Sequence, residues 1–145
     1  MKDSEIYFNF MLHMAAADGQ IDDEELTYLD TCIERLGVSD DVYQNLKGQL
    51  LNLKNNGHLK PLDDTLAILS CSNNPSLAMT IFRDAYALAN IDDDLDTKEQ
   101  ALLEKFAYSF GATGENFKRL MSWANRAISI KEEGEYLFEQ LAGKQ

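Results

Sequence analysis

Apolar residues recur at intervals of three and four along almost the whole chain, and nowhere do strand-like alternation and hairpin turn signals coincide. That period is the mark of helices with one buried face. From Asp3 to Ala17 the stripe is Tyr7, Phe8, Met11, Met14 and Ala15. A second helix is expected from about Asp23 to Leu36, with Leu26, Leu29, Ile33 and Leu36 inward and Gly37 as its stop. Ser39 suits the N-cap of a third, whose face is Tyr43, Leu46, Leu50 and Leu53 and which ends at Asn55-Asn56-Gly57. Pro61 fits the first turn of a short fourth helix through Leu66 and Leu69. Asn74-Pro75 opens a fifth, with Leu77, Ile81, Phe82, Ala85, Leu88 and Ala89 inward. A sixth is expected from about Thr97 to Phe110, stopped by Gly111, and Thr113 caps a seventh with Phe117, Leu120, Ala124 and Ala127 inward. A separate tail helix is expected over about 130–142, and Trp123 is read as core.

The order of these elements repeats. A shift of 74 positions superposes Phe8 on Phe82, Ala15 on Ala89, Asp18 on Asp92, Asp22 on Asp96, Glu25 on Glu99, Leu29 on Leu103, Gly37 on Gly111 and Leu46 on Leu120. Conservative pairs fill the gaps, among them Ser39 with Thr113 and Tyr43 with Phe117. The matches fall on core, cap and turn positions. The fold class that follows is all-α: a compact single-domain helical bundle of seven or eight helices with an internal duplication of a three-helix unit. One domain spans 1–145, with repeat 1 over about 7–53, a connecting helix over about 60–71, repeat 2 over about 81–127, and the tail.

Both repeats carry an acidic turn. The first reads Asp18-Gly19-Gln20-Ile21-Asp22-Asp23-Glu24-Glu25, the second Asp92-Asp93-Asp94-Leu95-Asp96-Thr97-Lys98-Glu99. The first has the order of the rear half of a calcium loop, in which a glycine turns the chain, an aliphatic residue anchors it and a glutamate closes the site. Asp18, Asp22 and Glu25, with Asp92, Asp96 and Glu99, are therefore candidate metal ligands. Their all-oxygen character selects calcium or magnesium over zinc. The front half of such a loop is missing, since Met14 and Ala16, then Leu88 and Asn90, hold the early ligand positions. The same residues support another reading: Asp22 with Glu25, and Asp96 with Glu99, have the spacing of a capping box. Crowded Asp18, Asp92, Asp93 and Asp94 are less well explained by capping alone.

The run Ala15-Ala16-Ala17-Asp18-Gly19, Ile21-Asp22 and Glu25, with its echo around Asp92, resembles the TerB-like family, named for tellurite resistance. The resemblance covers about residues 5–127. It implies a compact helical domain with an acidic turn after the first long helix, in stress-linked, metal-associated or scaffolding roles without established catalysis. The motif falls on Asp18, Asp22 and Glu25. In the second copy Asp93 replaces Gly19, a departure that bears on the turn geometry there.

Charge sharpens the choice of partner. With 25 acidic against 13 basic residues the net charge is −12, which argues against nucleic acid and anionic membrane and leaves cations and basic proteins. No lysine or arginine occurs between Asp3 and Glu34. Asp23, Glu24 and Asp30, expected on an exposed helix face, could therefore steer a basic partner. That supports an alternative function, an acidic immunity or inhibitor protein neutralising a basic nuclease toxin. No signal-peptide pattern or membrane-length apolar run is visible, and Cys32 and Cys71 read as two buried thiols, so the expected location is cytoplasmic. His13 and His58 have no nucleophile or base partner in sequence, and no phosphate loop or zinc motif is present. A binding module is expected rather than an enzyme.

Overall fold

The computed structural model describes residues 2–17, 22–56, 61–91 and 95–143. Among them are seven helices and no strand: α1 (Asp3–Ala16), α2 (Asp23–Arg35), α3 (Asp40–Asn56), α4 (Leu62–Ser72), α5 (Pro75–Ala89), α6 (Thr97–Ser109) and α7 (Gly114–Ala142). Polar caps start most of them where the sequence requires it. The Asn74 carboxamide accepts from Leu77 N at 3.2 Å, and the Thr113 hydroxyl from Asn116 N at 3.3 Å. Gly37 and Gly111 stop α2 and α6 at φ +63° and +84°, a conformation that strains any residue with a Cβ.

The helix bounds keep the 74-residue offset. Asp23 and Thr97 begin α2 and α6, Arg35 and Ser109 end them, and Asp40 and Gly114 begin α3 and α7. Packing follows the same scheme. α1 packs on α2, α3, α4 and α5, while α5 packs on α1, α2, α6 and α7, so these two helices form the centre. α1 is buried almost all round: Ile6, Tyr7, Phe8, Asn9, Phe10, Met11 and Leu12 are all inaccessible. An all-round apolar helix belongs inside a bundle. At roughly 1.5–3 kcal/mol for each fully buried large side chain, α1 contributes more hydrophobic stabilisation than any other single helix.

Two expectations are corrected. The tail segment is not a separate helix, because α7 runs unbroken through it. Gly134 by itself costs a helix only about 1 kcal/mol, and the Lys131–Glu135 ion pair at 3.8 Å bridges it one turn apart. Cys71 is exposed, since α4 turns Thr65, Leu66 and Leu69 inward and leaves Cys71 on its outer side. Cys32 is buried as expected. A thiol reagent should accordingly label Cys71 at once and Cys32 only on unfolding; equal rates in the folded protein would contradict this burial. No helix among the described residues is long and apolar enough to cross a membrane.

Candidate functional site

Of the proposed ligands, Asp22, Glu25, Asp96 and Glu99 lie in described segments. Asp18, Asp92 and the adjoining Gly19, Ile21, Asp93 and Asp94 lie outside the described residues, as does His58. Asp22 is the N-cap of α2, its Oδ1 accepting from Glu25 N at 2.8 Å. Asp96 is the N-cap of α6, its Oδ1 accepting from Lys98 N at 2.7 Å. There Glu99 closes a capping box by accepting from Asp96 N at 3.3 Å. Glu25 and Glu99 are both buried, and neither is without a partner. A carboxylate at a helix start is favoured by the helix dipole, which lets two glutamates sit beneath the surface. The capping reading thus accounts for the described half of each turn. A carboxylate engaged by one backbone N–H retains lone pairs for a cation, so capping and ligation are compatible.

One cleft lies between the segment that leads into the first turn and the segment that follows the second. His13, Ala16 and Ala17 at the end of α1 line it with Lys98, Ala101 and Leu102 at the start of α6. The early ligand positions of a full calcium loop are closed: Met14 and Leu88 are core residues, and Asn90 caps α5, its Nδ2 donating to Tyr86 O at 2.8 Å. Among the described residues, no group of three or more histidine, cysteine, aspartate or glutamate side chains is placed to hold a metal ion.

Of the three proposed partner-binding acids, Asp23 and Glu24 are exposed at the start of α2. Asp30 is half-buried and takes the ammonium of Lys47 on α3 as its partner, so it is not a freely exposed charge. The reason is the short α2–α3 connection, which brings Lys47 alongside.

A buried polar cluster joining the repeats is a feature that the apolar stripes concealed. Asp84 on α5, 5% exposed, accepts from the Tyr7 hydroxyl of α1 at 2.5 Å and from Arg83 Nε at 3.1 Å. Arg35 of α2 stands 3.9 Å from the same carboxylate and donates to Cys32 Sγ at 3.2 Å. The Tyr28 hydroxyl donates to Asp84 O at 3.4 Å. The signal was available in the repeat: Asp84 is the counterpart of Phe10, and Cys32 of Phe106. Those two rings lie 4.8 Å apart in the bundle. Of the two equivalent contacts between the repeats, one is thus aromatic and the other a carboxylate network.

Burial first, then the Cys32 and Asp84 charges, push the Tyr7 and Tyr28 phenols above their ordinary 10.0. Burial likewise pushes the Cys32 thiol up from 9.0. All three are therefore protonated in the fold at neutral pH. A folded pKa above the unfolded one gives stability that is complete below the unfolded value and lost as pH climbs through it. Melting temperature should therefore fall steeply above about pH 10. Tyr7→Phe should flatten that fall; an unchanged alkaline slope would contradict the assignment.

The duplicated three-helix units, the central α1–α5 pair and the paired N-capping aspartates define a helical module with two acidic turns. The family model described as tellurite resistance protein TerB matches residues 7–122, and the chain belongs to that family. No curated protein and no solved structure shows significant similarity to the chain.

Proposed function

We infer that this TerB-family chain is a non-enzymatic acidic binding module that takes a hard divalent cation, calcium or magnesium. Its functional surface is the pair of acidic turns, Asp18, Asp22 and Glu25 with Asp92, Asp96 and Glu99. The observation that carries the reading is the shared cleft of α1 and α6, lined by Ala17, which precedes the first turn in sequence, and by Lys98, which follows the second. Acidic turns brought together there would supply more oxygens than either turn alone, which a hard cation requires. The family's description, tellurite resistance, points the cellular role towards stress response, with the module acting as a scaffold.

A cation that binds only the folded chain raises its melting temperature with concentration. Millimolar calcium or magnesium should do so for the parent protein. Asp18→Asn/Asp22→Asn should abolish the shift while leaving the metal-free melting temperature near the parent's, because asparagine caps a helix as well as aspartate. The exposure of Asp23 and Glu24 supports a second reading, an immunity-type inhibitor of a basic protein. Chelator separates the two, since a metal-dependent module loses its partner with the metal and an electrostatic inhibitor does not.

A further inference from the structure

On α7 one stripe of residues continues past the bundle. Leu120, Trp123, Ala127, Ile130, Gly134, Leu137 and Leu141 follow one another at alternating spacings of three and four, the heptad seam of a helix pair. The first part lies over the bundle, where Leu120 and Trp123 are partly buried against the core. From Ser129 to Gly143 every residue is exposed except Gly134. Ile130 is 69% exposed, Phe138 74% and Leu141 60%. At 1.5 Å per residue, this half of the helix extends about 20 Å with its apolar side uncovered.

Charge divides the same helix. Its first half borders a groove of about 640 Å³ against the end of α6, lined by Phe110, Leu120 and Trp123 together with Arg119 and Arg126. Among the described residues no carboxylate lines this groove, in a chain of net charge −12. The second half carries Glu132, Glu133, Glu135 and Glu139 among its apolar residues. A continuous helix cannot fold its acidic end back onto its own basic half. The end of a second copy can reach it.

We propose that the chain forms a symmetric dimer through antiparallel pairing of two α7 helices, the acidic apolar end of each lying in the basic groove of the other. Sizes match in the antiparallel register centred between Ile128 and Ser129. Trp123 then faces Gly134 of the second copy, Ala127 faces Ile130, and Leu120 faces Leu137. Large meets small at the first two layers, and antiparallel coiled-coil layers pair the seam positions in this way. Gly134 has open space where a Cβ would stand, so an indole can lie against it. The same register sets Arg126 near Glu133 of the second copy, a charge pair along one edge of the seam. A parallel pair would instead set Gly134 against Gly134 and leave a gap at the seam.

Sedimentation equilibrium of the full chain tests this. The parent should show twice the protomer mass at high concentration. Leu137→Glu/Leu141→Glu should be monomeric with unchanged helicity, because both side chains are exposed in the protomer. Arg126→Glu or Glu133→Arg alone should weaken the dimer about tenfold, and the two together should restore it to within about threefold of the parent. A parent that stays monomeric at millimolar concentration overturns the proposal and leaves the stripe to a partner of different sequence. A dimer indifferent to Leu137→Glu/Leu141→Glu, or a charge swap no tighter than its single variants, overturns it equally.

Discussion

Asp84→Ala is expected to lower the stability of the folded chain by roughly 2–4 kcal/mol, a fall in melting temperature of about 5–15 °C. The buried Tyr7 hydroxyl loses its acceptor, and Arg83 loses the carboxylate it holds at 3.1 Å. Both arginine side chains are 40% exposed, so water recovers part of their loss and the cost stays below that of breaking a fully buried pair. Asp84→Asn keeps an acceptor of similar size and should cost less than Asp84→Ala. In Tyr7→Phe the alanine substitution should cost less than in the parent, because the orphaned hydroxyl is already gone. Thermal denaturation of the four proteins gives the cycle. Equal melting temperatures for parent and Asp84→Ala would remove the network from any structural role.

Phe106→Ala should cost about as much from the opposite chemistry, roughly 3–5 kcal/mol. Phe106 is 3% exposed and its ring lies 4.8 Å from Phe10, 6.2 Å from Phe82 and 5.7 Å from Phe110. Removing it empties the junction of α1, α5 and α6 and breaks three ring contacts. Its counterpart Cys32 is smaller and sits in the polar cluster, so Cys32→Ala should cost distinctly less. Denaturant titration of the two variants would contradict the asymmetry between the repeats if it gave equal losses.

Much of this fold was legible because helix ends announce themselves. The caps at Asp22, Asn74, Asp96 and Thr113 are short polar side chains whose oxygens accept from backbone N–H groups. The stops at Gly37 and Gly111 need a positive φ that glycine alone adopts freely. Burial was harder to read. α1 is enclosed on all sides, and a search for one apolar stripe finds Tyr7, Phe8 and Met11 but passes over Ile6, Asn9, Phe10 and Leu12. Asn9 escapes notice because its partner is remote in sequence, its Nδ2 donating to Thr65 Oγ1 at 2.6 Å. Asp84 escapes for the same reason, although its repeat equivalence to Phe10 marked the position as interior. The continuity of α7 was hidden by Gly134, a weak breaker among strong helix formers.

The acidic turns were legible as residues but not as one chemistry. A carboxylate at the start of a helix serves the backbone and a cation with the same oxygens, so Asp22 and Asp96 fit both roles in sequence. In the bundle they cap α2 and α6, and Glu25 and Glu99 are buried behind them. Asp30 shows how such ambiguity resolves, for its apparent surface charge is matched by Lys47.

The most direct measurement is isothermal titration of calcium, then magnesium, into the metal-free chain and into Asp18→Asn/Asp22→Asn. The parent should give a saturable binding heat at micromolar to millimolar cation, and the double asparagine variant, with its helix caps intact, should give none. A parent with no binding heat at millimolar calcium and magnesium, or a variant that binds as tightly as the parent, would contradict the assignment of the acidic turns as a cation site.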